Sequence, residues 1–466
     1  MDVSSFHYTL PSHPSLRSLD PLGICDEDEP TIWNAITASI HSFRARSAPP
    51  SALHTLPQLV EDLSYSVHMD GHTNTKFLSG FISAKYPDPY SSDGLSLLNG
   101  ILDHALLLPT LFESHQIPYL SEKNPTLRLS PVQVKCLLSH QILNTLRPPK
   151  GNDWGCTFTC WYSEPQALED AVFGYLNSLF DFFTLPMETM SDTTYIYSTL
   201  PARGVSQTAE SWMKDLPVNL FTNLTIEPVA SSTVPFPHES VNCTLVASNS
   251  SPGFGASCTQ EELVTAACPP LLLMGALLIS PPVPDDVAII VQTQAPIFQW
   301  KGKGREARRT SKWINASHTF LFLDASELDR MAPSDSAGLL DLDPKHFIRD
   351  LHKAYTGFNA LSKHGIKAIA SPIWGAGAFG ADPIVKTIIL SAASARAGIA
   401  LYLSVDKEEF YPVHDTSQPH RLIDLLRRLR ESCKNATIEA VVQKITSNEA
   451  LGCRRGYEVL QLLEET

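Results

Sequence analysis

Along the first third of the chain, apolar residues recur at spacings of three and four. TIWNAITASIHSFRARS, LHTLPQLVEDLSYSV, TKFLSGFISAKY, LSLLNGILDHALLLPTLFESH and PVQVKCLLSHQILNTL each predict an amphipathic helix. This helical first domain is expected to end near residue 150, where RPPKGNDWG breaks the period. PQALEDAVFGYLNSLFDFFTL adds one more long helix at the junction. From about residue 195 the pattern shortens and β-branched residues take over. TTYIYSTL, NLFTNLTIEPV, VNCTLVAS, DVAIIVQTQ, HTFLFLDA, IKAIASPI and IALYLSV are runs of strand length, alternating with helical segments. That order predicts an α/β domain with a mixed sheet. The domain division expected is therefore 1–150, helical, and 151–466, α/β. The best-defined unit is IKAIASPIWGAGAFGADPIVKTIILSAASARAGIALYLSV, in which a strand enters a Gly-rich loop. There Asp382 is placed as helix N-cap, Pro383 as first helical residue and Gly398 as helix terminator.

The length of 466 residues suits two domains. With 43% hydrophobic and 18% charged residues the chain is globular, not disordered. Lys and Arg number 35 against 49 Asp and Glu, a net charge of -14, which argues against a chain built to coat DNA or an anionic membrane. The N-terminal residues show no secretory pattern. The longest apolar stretch, CPPLLLMGALLISPPV, is bracketed by prolines and too short for the roughly 20 residues of a membrane span. The nine cysteines form no facing CxxC pairs, so reduced thiols and a nuclear or cytoplasmic location are expected.

Two loops could carry chemistry. Trp374-Gly375-Ala376-Gly377-Ala378-Phe379-Gly380 precedes a helix N-terminus, where backbone N–H groups favour an anion such as a diphosphate. The same glycines could equally serve a tight turn. Residues Asn249 to Glu262, NSSPGFGASCTQEE, follow the strand VNCTLVAS and end on adjacent carboxylates that open a short helix. Glu261 and Glu262 are either first-turn acids that stabilise the helix dipole by about 0.3 to 1 kcal/mol each, or a proton-transfer group beside a group that holds sugar hydroxyls. Cys258 beside them reads as a small buried thiol, since no His lies in a comparable motif. Lys301, Lys303, Arg305, Arg308 and Arg309 form the one dense basic run, a solvated loop or a contact to polymer phosphates. His346, His352 and His364 have no metal-ligand spacing, and no metal is assigned.

These two segments, in this order, resemble the poly(ADP-ribose) glycohydrolases. VKCLLSHQILNTL, YLNSLF and FIRDLHKAYTGFNAL extend a patchy, collinear similarity over about residues 20 to 405. The resemblance implies a macrodomain-like mixed sheet flanked by helices, preceded by an α-helical accessory domain. It implies Glu262 as catalytic acid/base, Glu261 as the neighbour that binds ribose hydroxyls, Gln260 completing the motif, and Asn249 near the scissile ribose. Gly253 and Gly255 match the first and third glycines of a diphosphate-binding Gly-Gly-Gly, while Gly375, Gly377, Ala378 and Phe379 match the loop that encloses diphosphate and ribose from the other side. Several positions depart from the family pattern. Phe254 replaces the middle glycine, the stretch from Asn249 to Gln260 is about three residues short, Val246 replaces an acid, and Ile373 replaces an Asn. No tyrosine-rich adenine segment is present, and Val405 stands where an aromatic would pack. Phe298 and Trp300 are the substitutes on offer for stacking on adenine, or else they are core.

The activity implied is hydrolysis of the ribose–ribose O-glycosidic bond of poly(ADP-ribose), releasing ADP-ribose, with no cofactor or metal. Glu262, protonated in a partly apolar site and repelled by Glu261, would give its proton to the departing oxygen and then take one from the attacking water. The alternative is an ADP-ribose or poly(ADP-ribose) binding module that has lost turnover. Partners implied are poly(ADP-ribose), ADP-ribose and ADP-ribosylated proteins, in reversal of ADP-ribosylation and the DNA damage response, with no membrane and no direct DNA binding.

Overall fold

A computed structural model of the protein describes residues 6–18, 30–45, 52–68, 72–149, 155–186, 193–201, 218–229, 241–275, 277–279, 282–302, 304–331, 338–411 and 420–465. The chain forms two compact units. The first comprises Met1–Tyr197, Ser251–Pro282 and Thr293–Ser317; the second comprises Ser198–Ser250, Val283–Gln292 and His318–Thr466. The expected boundary at 150/151 falls within the stretch of the first unit, and residues 150–154 lie outside the described ones. Inside the first unit Phe254 packs against the stacked rings of Phe158 and Trp161 and draws a later stretch of chain back to the helices.

The first unit carries helices α1 (Ile32–Ala45), α2 (Leu56–His68), α3 (Lys76–Lys85), α4 (Ser92–Leu106), α5 (Leu108–Leu111), α6 (Pro131–Ile142), α7 (Thr159–Tyr162), α8 (Glu169–Thr184) and α9 (Gln260–Ala267). The expected helices are all present. The LSLLNGILDHALLLPTLFESH segment is split between α4 and α5 at Pro109, whose ring cannot continue a helix interior. Strands β1 (His7–Thr9) and β2 (Gln116–Pro118) form a small antiparallel pair that the sequence pattern was too short to announce.

The other strands are β3 (Thr126–Leu129), β4 (Tyr195–Pro201), β5 (Leu224–Val229), β6 (Cys243–Ser248), β7 (Val287–Lys301), β8 (Arg308–Asp324), β9 (Ala368–Ser371) and β10 (Ala400–Asp406). They form one eight-stranded sheet in the order β3-β4-β7-β8-β6-β9-β10-β5. From β8 onward the neighbours are parallel, with Cys243 opposite Thr319, Thr244 opposite Ala370, Ala400 opposite Ala368 and Leu401 opposite Leu224. The neighbours β7 and β8 are joined by residues 302–307, too few for a parallel crossover, so they run antiparallel and the sheet is mixed.

In the second unit α10 (Pro344–Lys363) and α11 (Pro383–Ala397) pack together, and α12 (Leu422–Ser432), α13 (Ile438–Ile445), α14 (Asn448–Leu451) and α15 (Gly456–Glu464) complete it. The start of α11 is as the sequence predicts. Asp382 Oδ1 accepts from the N–H groups of Ile384 (2.8 Å) and Val385 (3.3 Å), Pro383 follows, and Gly398 ends the helix at φ 67°.

Beneath that helix start lies a buried charge cluster. Asp350, fully buried, takes Lys386 Nζ, Arg349 Nη1 (2.9 Å), and the N–H (3.0 Å) and Oγ (3.0 Å) of Ser326. Burial alone would raise its carboxyl, but Lys386 and Arg349 outweigh that and hold it below the usual range. Asp341 Oδ2 accepts from Asp382 N at 2.6 Å. Its Oδ1 lies 3.2 Å from Lys386 Nζ, within ion-pair range but off the line of a hydrogen bond. Burial therefore wins here and raises Asp341 to about 6 from 3.8. Between those values the folded state holds the proton that the unfolded state has lost, so this group's contribution to stability falls as pH rises from 4 to 6. Asp341→Asn, which keeps an acceptor for Asp382 N, is expected to gain about 2 to 3 kcal/mol relative to the parent over that window. Denaturant titrations at pH 4 and pH 6.5 measure it; an unchanged difference would show that the carboxyl does not titrate there.

Candidate functional site

In the first unit, Pro252 to Gly255 are buried, and so are Glu261 (6% exposed) and Glu262 (2%). Carboxylates at that depth need hydrogen bonds, and each has them. Glu261 Oε1 accepts from Gly253 N at 3.0 Å, tying the Gly-containing loop to the helix start. Glu262 is the third residue of α9, whose N-cap is Thr259. Its Oε2 accepts from Thr259 N (3.0 Å), Thr259 Oγ1 (2.9 Å) and Ser257 Oγ, while Thr259 Oγ1 accepts from Glu262 N (3.3 Å). This reciprocal capping box is encoded by Thr259-x-x-Glu262. The expectation of a partly apolar site around Glu262 is corrected on that side, because Oε2 is ringed by donors. Oε1 takes no part in these bonds. Gln260 is half-buried beside them. Cys258 is half-buried too, and burial, the first cause, raises its thiol, which leaves it a poor nucleophile.

A cavity of about 510 Å³ opens in the same unit, lined by Ser64, His68, Asn144, Thr157, Cys160 and Phe254 among others. Burial first, and then the Glu262 carboxylate, push the Cys160 thiol up to about 12.

In the second unit, Asn249 follows β6, and its Nδ2 donates to Glu327 Oε1 at 2.7 Å. The loop from Trp374 to Gly380 is pinned at several points. Trp374 is fully buried and donates Nε1 to Leu323 O (2.9 Å). Gly375 has φ 80°, and a Cβ there would lie 2.8 Å from Ala325 Cβ, so only glycine fits. Phe379 O accepts from the N–H groups of Leu328 and Asp329, both at 3.1 Å. Gly377 and Ala378 are exposed and Phe379 is half-buried against the core. The Asp382 carboxylate already occupies the first N–H groups of α11, so an anion here would be met by loop amides rather than by the helix end.

Among the described residues, no group of three or more His, Cys, Asp or Glu is arranged to hold a metal ion, and no helix is long and apolar enough to cross a membrane. Residues 239–411 match the family model described as poly(ADP-ribose) glycohydrolase, macro domain fold. Over that segment the chain is similar to the poly(ADP-ribose) glycohydrolase family. Solved structures similar to the chain include the glycohydrolase of Deinococcus radiodurans in complex with ADP-ribose, at 15% identity and TM-score 0.34, covering 53% of this chain and 98% of that one. The glycohydrolase of Thermomonospora curvata bound to the inhibitor ADP-HPD is similar at 16% identity and TM-score 0.29, covering 50% and 82%.

The departures from the glycohydrolase pattern have structural explanations. Phe254 is 1% exposed and turns its ring into a cluster with Phe158 (4.9 Å) and Trp161 (5.0 Å), while Trp161 Nε1 donates to Gly255 O at 2.7 Å. Each such aromatic pair adds about 0.5 to 1.5 kcal/mol beyond area burial, so the loop gains an anchor where a glycine would leave none. Val246 and Val405 are core. Trp300, expected among the substrate-binding residues, is corrected. It is 3% exposed, packs on Tyr175 at 5.2 Å, and lies so close to Gly174 that a Cβ there would meet its ring at 2.6 Å. Phe298 is 1% exposed under the Arg309 guanidinium. Both are core, and no adenine-stacking residue is identified.

The basic run is paired at two of its five positions. Arg308 lies 2.6 Å from Asp170 and Arg309 2.6 Å from Asp181, while Lys303 lies outside the described residues. Lys301 and Arg305 are exposed and pair with no acid among the described residues. Replacing both by Ala is expected to leave the salt dependence of poly(ADP-ribose) binding unchanged, as for a solvated loop. A log–log slope flatter by about 1 to 2 would instead assign them to polymer phosphates.

Proposed function

We infer that this chain hydrolyses the ribose–ribose O-glycosidic bond of poly(ADP-ribose) and releases ADP-ribose. The observation that carries the reading is the pair of adjacent, buried, hydrogen-bonded carboxylates, Glu261 and Glu262, held on a helix start directly after a buried Gly-containing loop. Surface acids that serve only the helix dipole would not be buried. Glu262 donates a proton to the departing ribose oxygen as the C1–O bond breaks, leaving an oxocarbenium ion. Water then attacks C1 and returns its proton to the Glu262 carboxylate. Glu261 braces the loop through Gly253 N and serves the ribose hydroxyls, with Gln260 beside it. In the first unit the amide of Gly255, and in the second Asn249 and the amides of Gly377, Ala378 and Phe379, are the further binding groups that the resemblance implies. ADP-ribosylated proteins in the nucleus or cytoplasm would be the physiological substrates.

A second reading is supported by the capping box and by Phe254. If the Glu262 carboxyl serves only the helix cap, the chain is a binding module without turnover. Titration with ADP-ribose together with incubation on poly(ADP-ribose) separates the two: the enzyme binds and shortens the polymer, whereas the module binds and leaves its length unchanged.

A further inference from the structure

The cavity of about 510 Å³ in the first unit is walled by α2, the residues just before α3, the turn after α6, and the stretch from Gly155 to Ser163 that contains α7. Phe254 adds to the wall, so the loop that Glu261 braces through Gly253 N borders the cavity as well. A gap left by loose packing is apolar. This one is framed by polar bonds that run from one stretch of chain to the next. Asn144, held at φ 52°, donates Nδ2 to Ser64 Oγ at 2.7 Å. Ser64 Oγ and Thr73 Oγ1 lie 2.5 Å apart, and His68 Nε2 donates to Asn144 O at 2.8 Å. Asn is one of the few residues that take such a backbone conformation readily.

Among the described residues the walls hold hydroxyls, amides, imidazoles and thiols but no Asp, Glu, Lys or Arg. The imidazoles are already engaged: His68 Nε2 with Asn144 O, and His72 Nδ1 3.6 Å from Glu61 Oε2. The Cys160 thiol, pushed up to about 12, stays uncharged at neutral pH. A phosphate would therefore meet no Lys or Arg to pair with. A hydrocarbon would strip water from the hydroxyls and amides and return no hydrogen bonds. A ring bearing several hydroxyls meets both conditions, because each hydroxyl donates and accepts, as the Ser, Thr and Asn groups do. The volume lies within the roughly 300 to 1,000 Å³ of small-molecule sites. We propose that this cavity is a second binding site, taking an uncharged sugar. Its source is either a free sugar or a ribosyl unit of poly(ADP-ribose) beside the one cleaved, and only the polymer source rests on the glycohydrolase reading.

D-ribose is the probe, titrated into the whole chain with ADP-ribose at saturation so that a catalytic ribose site is filled. Binding is expected to saturate at about 1 to 10 mM, the strength open to a ligand of so few atoms, and to shift the imidazole NMR signals of His68 and His72. Ribose 5-phosphate, whose dianion finds no Lys or Arg, is expected to bind at least about tenfold more weakly. Thr157→Leu and Ser163→Leu each add bulk to the wall at a half-buried position and are expected to weaken ribose at least about tenfold, with melting temperatures within a few degrees of the parent. If the sugar belongs to the polymer, the same variants raise KM for poly(ADP-ribose) about tenfold while ADP-ribose affinity stays within about threefold. An unchanged KM beside lost ribose binding assigns the cavity to a free sugar. Ribose that fails to saturate, leaves the His68 and His72 signals unmoved in the parent, binds no better than ribose 5-phosphate, or binds undiminished to well-folded variants overturns the proposal. A chain that takes ribose here yet forms no ADP-ribose from the polymer keeps this site and loses the glycohydrolase reading, so the two fail separately.

Discussion

Glu262→Gln is expected to slow the release of ADP-ribose from poly(ADP-ribose) by at least about 10²-fold while leaving ADP-ribose affinity within a few-fold. The substitution separates the two tasks that the structure gives this side chain. Glutamine is an accepted third residue of a capping box, and its carbonyl oxygen can still take the bonds now made to Oε2 by Thr259 N, Thr259 Oγ1 and Ser257 Oγ. The helix start and the Gly253–Glu261 bond should therefore survive, with a melting temperature within a few degrees of the parent. What glutamine lacks is a proton to give to the departing oxygen. Loss of turnover in a protein that still melts and binds as the parent does assigns the carboxyl to chemistry. Undiminished turnover would confine Glu262 to the cap.

Asp350→Ala should have the largest effect on stability, about 3 to 5 kcal/mol, because it removes one partner from a buried ion cluster and leaves the other charges stranded. Lys386, 1% exposed, would keep only the poorly aligned Asp341, and the N–H of Ser326 would lose its acceptor. Pairing Asp350→Leu with Lys386→Met, which removes both charges, is expected to recover a substantial part of that loss in urea titrations. The damage should also reach ligand binding, since Ser326 precedes Glu327 and the Lys386 side chain lies where a Cβ on Gly375 would be 3.3 Å from its Cε. If Asp350→Ala unfolds at the parent's midpoint, the cluster is not holding this part of the fold.

The parts of the fold written in local signals were legible in the sequence. Asp382, Pro383 and Gly398 bound α11 as expected, because caps act within a turn of the backbone that they serve. Period-two and period-three-to-four patterns located the strands and helices. The discontinuous units were not legible, because packing of Phe254 against the stacked Phe158 and Trp161 joins residues about a hundred positions apart. Phe298 and Trp300 do share one face of β7, but which face is core depends on Tyr175 and Gly174 of α8, which no pattern near residue 300 reports.

The candidate site divides in the same way. Glu261 and Glu262 were placed by their motif, and Thr259-x-x-Glu262 was a readable capping-box signature that would have foretold how Glu262 is held. Glu327 carried no local signal: an acid in the segment DASELDR after a strand reads as surface, and only the fold brings it to Asn249.

The most direct measurement is a time course of free ADP-ribose formed when the purified protein is incubated with poly(ADP-ribose). ADP-ribose should accumulate as the polymer shortens, and the rate should collapse in Glu262→Gln. A parent protein that binds ADP-ribose yet forms none of it, with polymer length unchanged, would contradict the hydrolytic reading and leave a binding module.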